Sequence, residues 1–382
     1  MQLSEQGRHH SSESHGTSSP FVLEGPRFEE SKHLNLVPPS RTVQLSQLGY
    51  TREHVASLAT GFAQTNAFSV LSPEGSRVLA AEIARLEPLA VSSARIPRVL
   101  RGASFRSRFV RGLCQSAALT ALASTIAGTE LVPHPMEIMN GHVNLSPLDR
   151  AKGVDRWHHD TTPFVLVLFA TPPEEYEGGE FEFFNGTVAE AESILSAGRA
   201  LPPERCETAG RQHQGWAVFQ QGSEVYHRAR AVSRGARISF VQSYVATDAL
   251  AREACTRLSD TYNGVDPLHI LIPDWGRYRC WRATRLVEHW LAHEAAGRRS
   301  DGNRSVVARI GRRLRDTAET LPYTADRRLL SAALAGTVDE LRVVAAEAEA
   351  SDGSALLAHA ICVIDGAVSD VTTLRDPTMS YY

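Results

Sequence analysis

Within Trp157-His158-His159-Asp160 a histidine and an aspartate stand two positions apart, and a second histidine follows at a distance in Val225-Tyr226-His227. Two imidazoles and one carboxylate are the donor set of a 2-His-1-carboxylate facial triad, which holds non-haem Fe(II) and leaves neighbouring coordination positions open. Imidazole nitrogens suit the ferrous ion, and one hard carboxylate offsets part of its charge. A 2-oxo acid can chelate two open positions through its carboxylate and keto oxygen, which leaves the third for O2. Such a centre couples decarboxylation of the oxo acid to oxidation of an unactivated C–H bond, with the metal carrying the difficult step and the protein supplying geometry and a dry cavity. His158 rather than His159 is assigned to the metal, because adjacent residues of a strand face opposite sides. His159 is left at the surface or behind the ligands.

Arg237 lies ten residues beyond His227 (237 − 227). A planar guanidinium grips a carboxylate with two parallel charge-assisted hydrogen bonds, so Arg237 is the candidate for the distal carboxylate of 2-oxoglutarate. Ser239 shares its side of a strand and can reach the same group. Flanked by Ala236, Ile238, Phe240 and Val241, Arg237 is expected to point into a cavity rather than to pair at the surface.

These residues need strands to hold them. A first core strand is expected over 136–145, where Asn140, His142 and Asn144 alternate with Met139, Gly141 and Val143. His142 and Asn144 are candidates for substrate or cosubstrate contacts, with structural hydrogen bonding as the alternative. Trp157 and Thr161, beside the ligands, are further pocket candidates. Gln242 and Tyr244 are assigned to Arg237's side of the strand and expected to extend the polar wall, unless a bend reverses them. Apolar strands are read over 163–170, 179–184, 216–220, 225–232 and 236–245. Residues 187–214 form an insertion, with a short helix over 187–197 and a polar loop over 205–214 that either lids the site or is a surface excursion.

Before this core, residues 43–131 read as mostly helical, with a start at Ser72-Pro73-Glu74, where Ser caps and Pro fits the first turn. A second helix is expected over 107–127. After it, Ala-, Leu-, Arg- and Glu-rich segments at 248–259, 274–297, 303–320, 325–335, 338–350 and 355–364 have helical spacing. The division expected is a disordered tail over 1–20, a helical support region over 21–131, the core over 132–246 and a helical region over 247–382. That last region is expected to pack on the core, cover the substrate entrance or form a homodimer surface. His289 and His293 have zinc-binding spacing, but Trp290 stands where a zincin pattern needs Glu, so no second metal site is expected.

A net charge of −3 with a pI near 6.6 gives no global pull toward nucleic acid or an anionic membrane. The arginine-rich stretch 298–315 is interspersed with acids and is read as a solvated helix face. Five scattered cysteines without a C-x-x-C pair, no secretory pattern and no membrane-length apolar run point to a soluble cytoplasmic protein. The partner expected is a free small molecule, not nucleic acid and not a membrane.

Taken in order, His158-x-Asp160, Glu177-Gly178-Gly179-Glu180-Phe181-Glu182-Phe183, Gly215-Trp216-Ala217-Val218-Phe219, His227 and Arg237-x-Ser239 resemble the Fe(II)/2-oxoglutarate-dependent dioxygenases, most closely their prolyl-4-hydroxylase-like branch. The resemblance covers roughly residues 130–246. It implies an α+β fold: a double-stranded β-helix, or jelly roll, braced by N-terminal helices and followed by a helical extension, with iron between the two sheets. It also implies Fe(II), 2-oxoglutarate and O2 as cofactor and cosubstrates. Prolyl hydroxylases generally carry Lys where Arg237 stands, so the resemblance does not extend to a prolyl substrate. Halogenases of the same superfamily have a small residue in place of the carboxylate, which opens a site for chloride. Asp160 therefore argues for oxygen transfer, while desaturation, ring closure or epimerisation would use the same ligands. The activity expected is C–H hydroxylation of an amino acid or specialised metabolite with release of succinate and CO2. The rivals are an enzyme modifying protein or RNA and a non-catalytic cupin-like binding module.

Overall fold

The computed structural model describes residues 21–92, 96–149, 154–261, 264–297, 301–323, 327–347 and 352–373. The expected disordered tail over 1–20 lies outside the described residues. Eight strands form the centre: β1 His142–Leu145, β2 Asp155–His158, β3 Phe164–Phe169, β4 Phe181–Phe184, β5 Cys206–Thr208, β6 Trp216–Gln220, β7 His227–Ala229 and β8 Ile238–Ala246. They lie in two antiparallel sheets, one in the order β1-β8-β3-β6 and the other β2-β7-β4-β5. Phe62–Thr65 and Thr42–Gln44 extend the first sheet beyond β6, and Val99–Leu100 extends it beyond β1.

Strand alternation explains how the first sheet is buried on both faces. On β3, Phe164, Leu166 and Leu168 face a cluster built with helices α1 Pro73–Leu86, α2 Arg108–Cys114 and α3 Ala117–Ala127, while Val165, Val167 and Phe169 face the second sheet. Full burial of one such side chain contributes roughly 1.5–3 kcal/mol. The inter-sheet space is therefore filled from one side by Val165, Val167, Val218 and Val241 and from the other by Phe181, Phe183 and Ala229.

Ser72 caps α1 as expected, accepting from Gly75 N at 3.0 Å with Pro73 in the first turn. The region 43–131 is less helical than its sequence suggests, because short buried runs such as Phe62-Ala63-Gln64-Thr65 pair as strands and are too brief to show a period. The helix expected over 107–127 is two helices, since Ser116 turns inward to cap α3 through Leu119 N. The insertion contains the expected helix, α4 Val188–Ser196, but its polar loop hides strand β5, which pairs with β4. Cys-Glu-Thr at a sheet edge offers no apolar pattern to read.

The C-terminal region consists of α5 Leu268–Gly297, α6 Asp301–Thr320, α7 Arg327–Glu347 and α8 Asp352–Thr373 around one core. Helix α7 joins two segments read separately, because Thr337 at the apparent polar break is buried. The helix expected over 248–259 is absent apart from Leu258–Thr261. Arg282 of α5 claims the Ala249 and Ala251 carbonyls at 3.1 and 2.8 Å, so they do not serve a helical ladder. Helix α5 is pinned beside the lead-in to β1: Asp274 accepts from Ile138 N at 2.8 Å, and Arg101 grips Asp266 with two bonds of 2.8 Å. No helix among the described residues is long and apolar enough to cross a membrane.

Candidate active site

His158 ends β2, His227 begins β7, and the two are direct cross-strand partners with ring centroids 4.2 Å apart. Asp160 arrives from the loop just after β2, its N–H held by the Gly222 carbonyl at 2.8 Å. Its oxygens lie 3.4 Å from His158 Nε2 and 3.5 Å from His227 Nε2. The three ligand atoms fall within 4.8 Å of one another, close enough to share one metal ion. Both imidazoles are oriented alike. His158 Nδ1 donates to Arg156 O at 2.6 Å and His227 Nδ1 to Val225 O at 2.9 Å, which fixes the tautomer and turns each Nε2 toward Asp160. Phe181 stacks on the His227 ring, and the Gln220 amide nitrogen lies 3.0 Å from Nε2.

A glycine makes room for the carboxylate. A Cβ at Gly222 would fall 2.5 Å from Asp160 Oδ2, so only glycine permits this approach. Gly179, at φ +71, does the same for Arg237, whose Cδ would lie 2.7 Å from an added Cβ. That accounts for one of the paired glycines in the sequence motif.

Arg237 sits at the start of β8 and is 1% exposed. Its Nε donates to Gln212 Oε1 at 3.3 Å and its Nη1 to Ser239 Oγ at 3.2 Å, while Nη2 has no hydrogen-bond partner among the described residues. No carboxylate among the described residues lies within ion-pair distance of it. Burial pulls the guanidinium below its ordinary range, opposed by the more distant Tyr176, Asp155 and Glu180. One cavity between the sheets is lined by His142, Asn144, His158, Asp160, His227, Arg237 and Ser239, with Val167, Phe181 and Val241 as its apolar part. His142 and Asn144 thus face it, as alternation along β1 requires.

Four candidates do not join it. Gln242 and Tyr244 are an odd number of residues from Arg237, so the pleat turns them to the opposite face of β8. There Gln242 donates to Asn140 Oδ1 at 3.0 Å and Tyr244 packs in the helix-facing core. Trp157 alternates with His158 and points outward, stacked on Tyr226 and covered by Arg228. Thr161 and His159 line a second, outer cavity of about 710 Å3, and His159 lies 3.5 Å from Glu192 of α4. Asp160 lines both cavities, so the metal position is their junction.

Sequence reading missed Asp155, Gln212 and a cluster on the outer cavity. The pairing of β2 with β7 shifts register between His227 and Ala229, and this irregularity puts Asp155 on the same face as His158, three residues away. Gln212 lies in the polar loop, where nothing marks it as a partner of Arg237.

No curated protein matches the chain. Among solved structures it is similar to the non-heme alpha ketoglutarate dependent epimerase SnoN from nogalamycin biosynthesis, at 19% identity over 53% of this chain and 83% of that one, TM-score 0.38. It is similar to HygX from Streptomyces hygroscopicus with nickel, 2-oxoglutarate and hygromycin B bound, at 15% identity over 52% and 88%, TM-score 0.34. It is also similar to the non-heme alpha ketoglutarate dependent carbocyclase SnoK from nogalamycin biosynthesis, at 14% identity over 55% and 88%, TM-score 0.38. The family model described as HalD, Halogenase D, matches residues 38–262, which takes in every residue of the metal cluster and more than half of the sequence. By that match the chain belongs to the Halogenase D family.

Proposed function

We propose that the chain is an Fe(II)- and 2-oxoglutarate-dependent oxygenase that oxidises a C–H bond of a small molecule, in the simplest case by hydroxylation. The observation that carries this reading is Arg237: a buried cation with an unpartnered Nη2, in the same cavity as three convergent metal ligands. A buried unpaired charge is costly unless a ligand completes it. A dicarboxylic oxo acid chelating the metal at one end and meeting Arg237 and Ser239 at the other fits that cavity. His158, Asp160 and His227 would hold iron, the donor set suited to it. When bound, iron with 2-oxoglutarate and O2 supplies the oxidising chemistry, with release of succinate and CO2.

The chain's own residues orient and enclose. Backbone carbonyls fix both imidazoles, Gln212 and Ser239 aim the guanidinium, and Val167, Phe181 and Val241 keep water from the inner cavity. We infer a double-stranded β-helix for the core over 132–246, supported by the β1-β8-β3-β6 and β2-β7-β4-β5 orders. The helices over 21–131 brace one face of it, and those over 247–382 flank it. A small-molecule substrate, such as an amino acid or specialised metabolite, is favoured by an outer cavity of about 710 Å3, within the usual size of small-molecule sites. Arg237, where the prolyl hydroxylases carry lysine, argues against a prolyl substrate.

The family description favours a second reading, halogenation. Asp160 speaks against it, because its carboxylate occupies the place that must be vacated for a halide. Incubating the protein with Fe(II), ascorbate, 2-oxoglutarate, chloride and a metabolite library, then measuring succinate and product masses, separates the two. Substrate-stimulated succinate with oxygenated product is expected. Chlorinated product would establish halogenation, and no 2-oxoglutarate consumption above background with any substrate would favour the non-catalytic binding module.

A further inference from the structure

Across the outer cavity from Asp160 stands a cluster that the metal chemistry does not use. Glu224 is 4% exposed, and its carboxylate binds His54 Nε2 at 2.7 Å and the Nη2 of Arg252. The Tyr50 hydroxyl donates to Glu224 O at 2.8 Å, accepts from Val188 N of α4 at 3.0 Å, and its ring lies 4.6 Å from that of His54. Two separate segments thus pair with one buried acid, and the insertion helix is tied to it through Tyr50. At 2.7 Å a proton must lie between a ring nitrogen and a carboxylate oxygen, so Nε2 carries it and Nδ1 is left on a ring that lines the cavity. The Arg252 side chain is half-exposed, and among the described residues its hydrogen bonds and ion pair are made through Nη2. Its backbone N–H is tied to Ser57 O at 2.7 Å.

A carboxylate taken out of water is destabilising unless it is paired. Here it is paired twice, and both partners line the cavity. We propose that Arg252, held by Glu224, anchors a carboxylate of the substrate, and that His54 Nδ1 accepts a hydrogen bond from a neighbouring N–H or O–H of the same molecule. The substrate is then an organic acid lying between this anchor and Asp160. The inference rests on the outer cavity being the substrate site of the proposed oxygenase.

Iodoacetate and iodoacetamide differ only in the carboxylate, and both alkylate an unprotonated imidazole nitrogen with loss of iodide. Full-length protein loaded with Ni(II) and 2-oxoglutarate is treated with each reagent, and the rates at His54 and at the exposed His269 are read by peptide mass spectrometry. The acid-to-amide rate ratio at His54 is expected to exceed that at His269 by about tenfold, the factor that ~1.4 kcal/mol of charge-assisted binding confers. In Arg252→Met the ratio should fall to the His269 value, and in Arg252→Lys it should fall only in part. Equal ratios at the two histidines in the unmodified protein, a preserved ratio in Arg252→Met, or no alkylation of His54 by either reagent would overturn the anchor. Ni(II) and 2-oxoglutarate titrations of the same samples test the oxygenase reading separately.

Discussion

Replacing Arg237 by Met should separate stability from cosubstrate binding in opposite directions. The guanidinium is buried, donates only two long hydrogen bonds to neutral groups, and leaves Nη2 unpaired among the described residues. The desolvation penalty for a buried ion is several kcal/mol, and replacing buried charges by apolar groups of similar volume is often stabilising by about 1–4 kcal/mol. Met fills much of the same channel beside Gly179 and Phe169. Without cosubstrate, Arg237→Met should therefore be more stable by roughly 1–3 kcal/mol in urea unfolding. Binding should move the other way. Two charge-assisted bonds at ~1.5–3 kcal/mol each place the loss near 3–6 kcal/mol, a rise of about 10²–10⁴-fold in the Kd for 2-oxoglutarate. With 2-oxoglutarate at a hundred times Kd, the unmodified protein should gain about 2.7 kcal/mol of stability that the variant lacks. A Kd within about threefold of the original would refute the assignment of Arg237. A loss of several kcal/mol in the absence of cosubstrate would show that the guanidinium's contacts outweigh its burial.

Asp160→Ala removes the only carboxylate of the metal cluster, so Ni(II) titration should show a large loss of affinity; full retention would reject the triad. Gly222→Ala puts a Cβ 2.5 Å from Asp160 Oδ2, and a displaced ligand should weaken metal binding by about 10–100-fold. An unchanged affinity there would mean that the loop yields at no cost. Asp274 offers a pH test: burial, outweighing the Ile138 N–H and Arg277, raises its carboxyl from the ordinary 3.8 to about 7. Between those values the folded protein keeps a proton that the unfolded chain has lost, so this group's contribution to stability falls as pH rises from about 4 to 7 and is flat above. Compared with Asp274→Asn, the unmodified protein should lose on the order of 1–4 kcal/mol across that window in urea titrations. Parallel pH profiles for the two proteins would refute the shift.

What could be read from the sequence was what local spacing encodes. His158 and Asp160 two apart, and Arg237 and Ser239 two apart on one strand, carry their geometry with them. Gln242 and Tyr244 fail by the same alternation rule: an odd step from Arg237 means the opposite face. Asp155 escapes the rule because the irregular pairing of β2 with β7 returns it to the cavity, and no residue type marks that shift. Strand β5 is too short and polar to be periodic. The most opaque set is His54, Glu224 and Arg252, separated by 170 and 28 residues, where neither interval corresponds to any element's repeat. Their proximity follows from how the segments pack, and packing partners leave no local trace.

The turn at residues 221–224 ties the two cavities into one mechanical unit. Gly222 holds the backbone of Asp160, and two residues later Glu224 holds His54 and Arg252. Gln221 N is itself anchored to Ala63 O, and Glu224 N closes the turn on Gln221 O, so the segment has little freedom to move in parts. Only Ser223 separates Gly222 from Glu224, so the outer wall and the loop that holds Asp160 share one turn. His227 shares this link, because Val225, whose carbonyl holds its Nδ1, directly follows Glu224, whereas His158 is held by Arg156 O of its own strand. Of the three, Asp160 is the one that lines both cavities, so its replacement by a small residue would open the metal position toward the outer one.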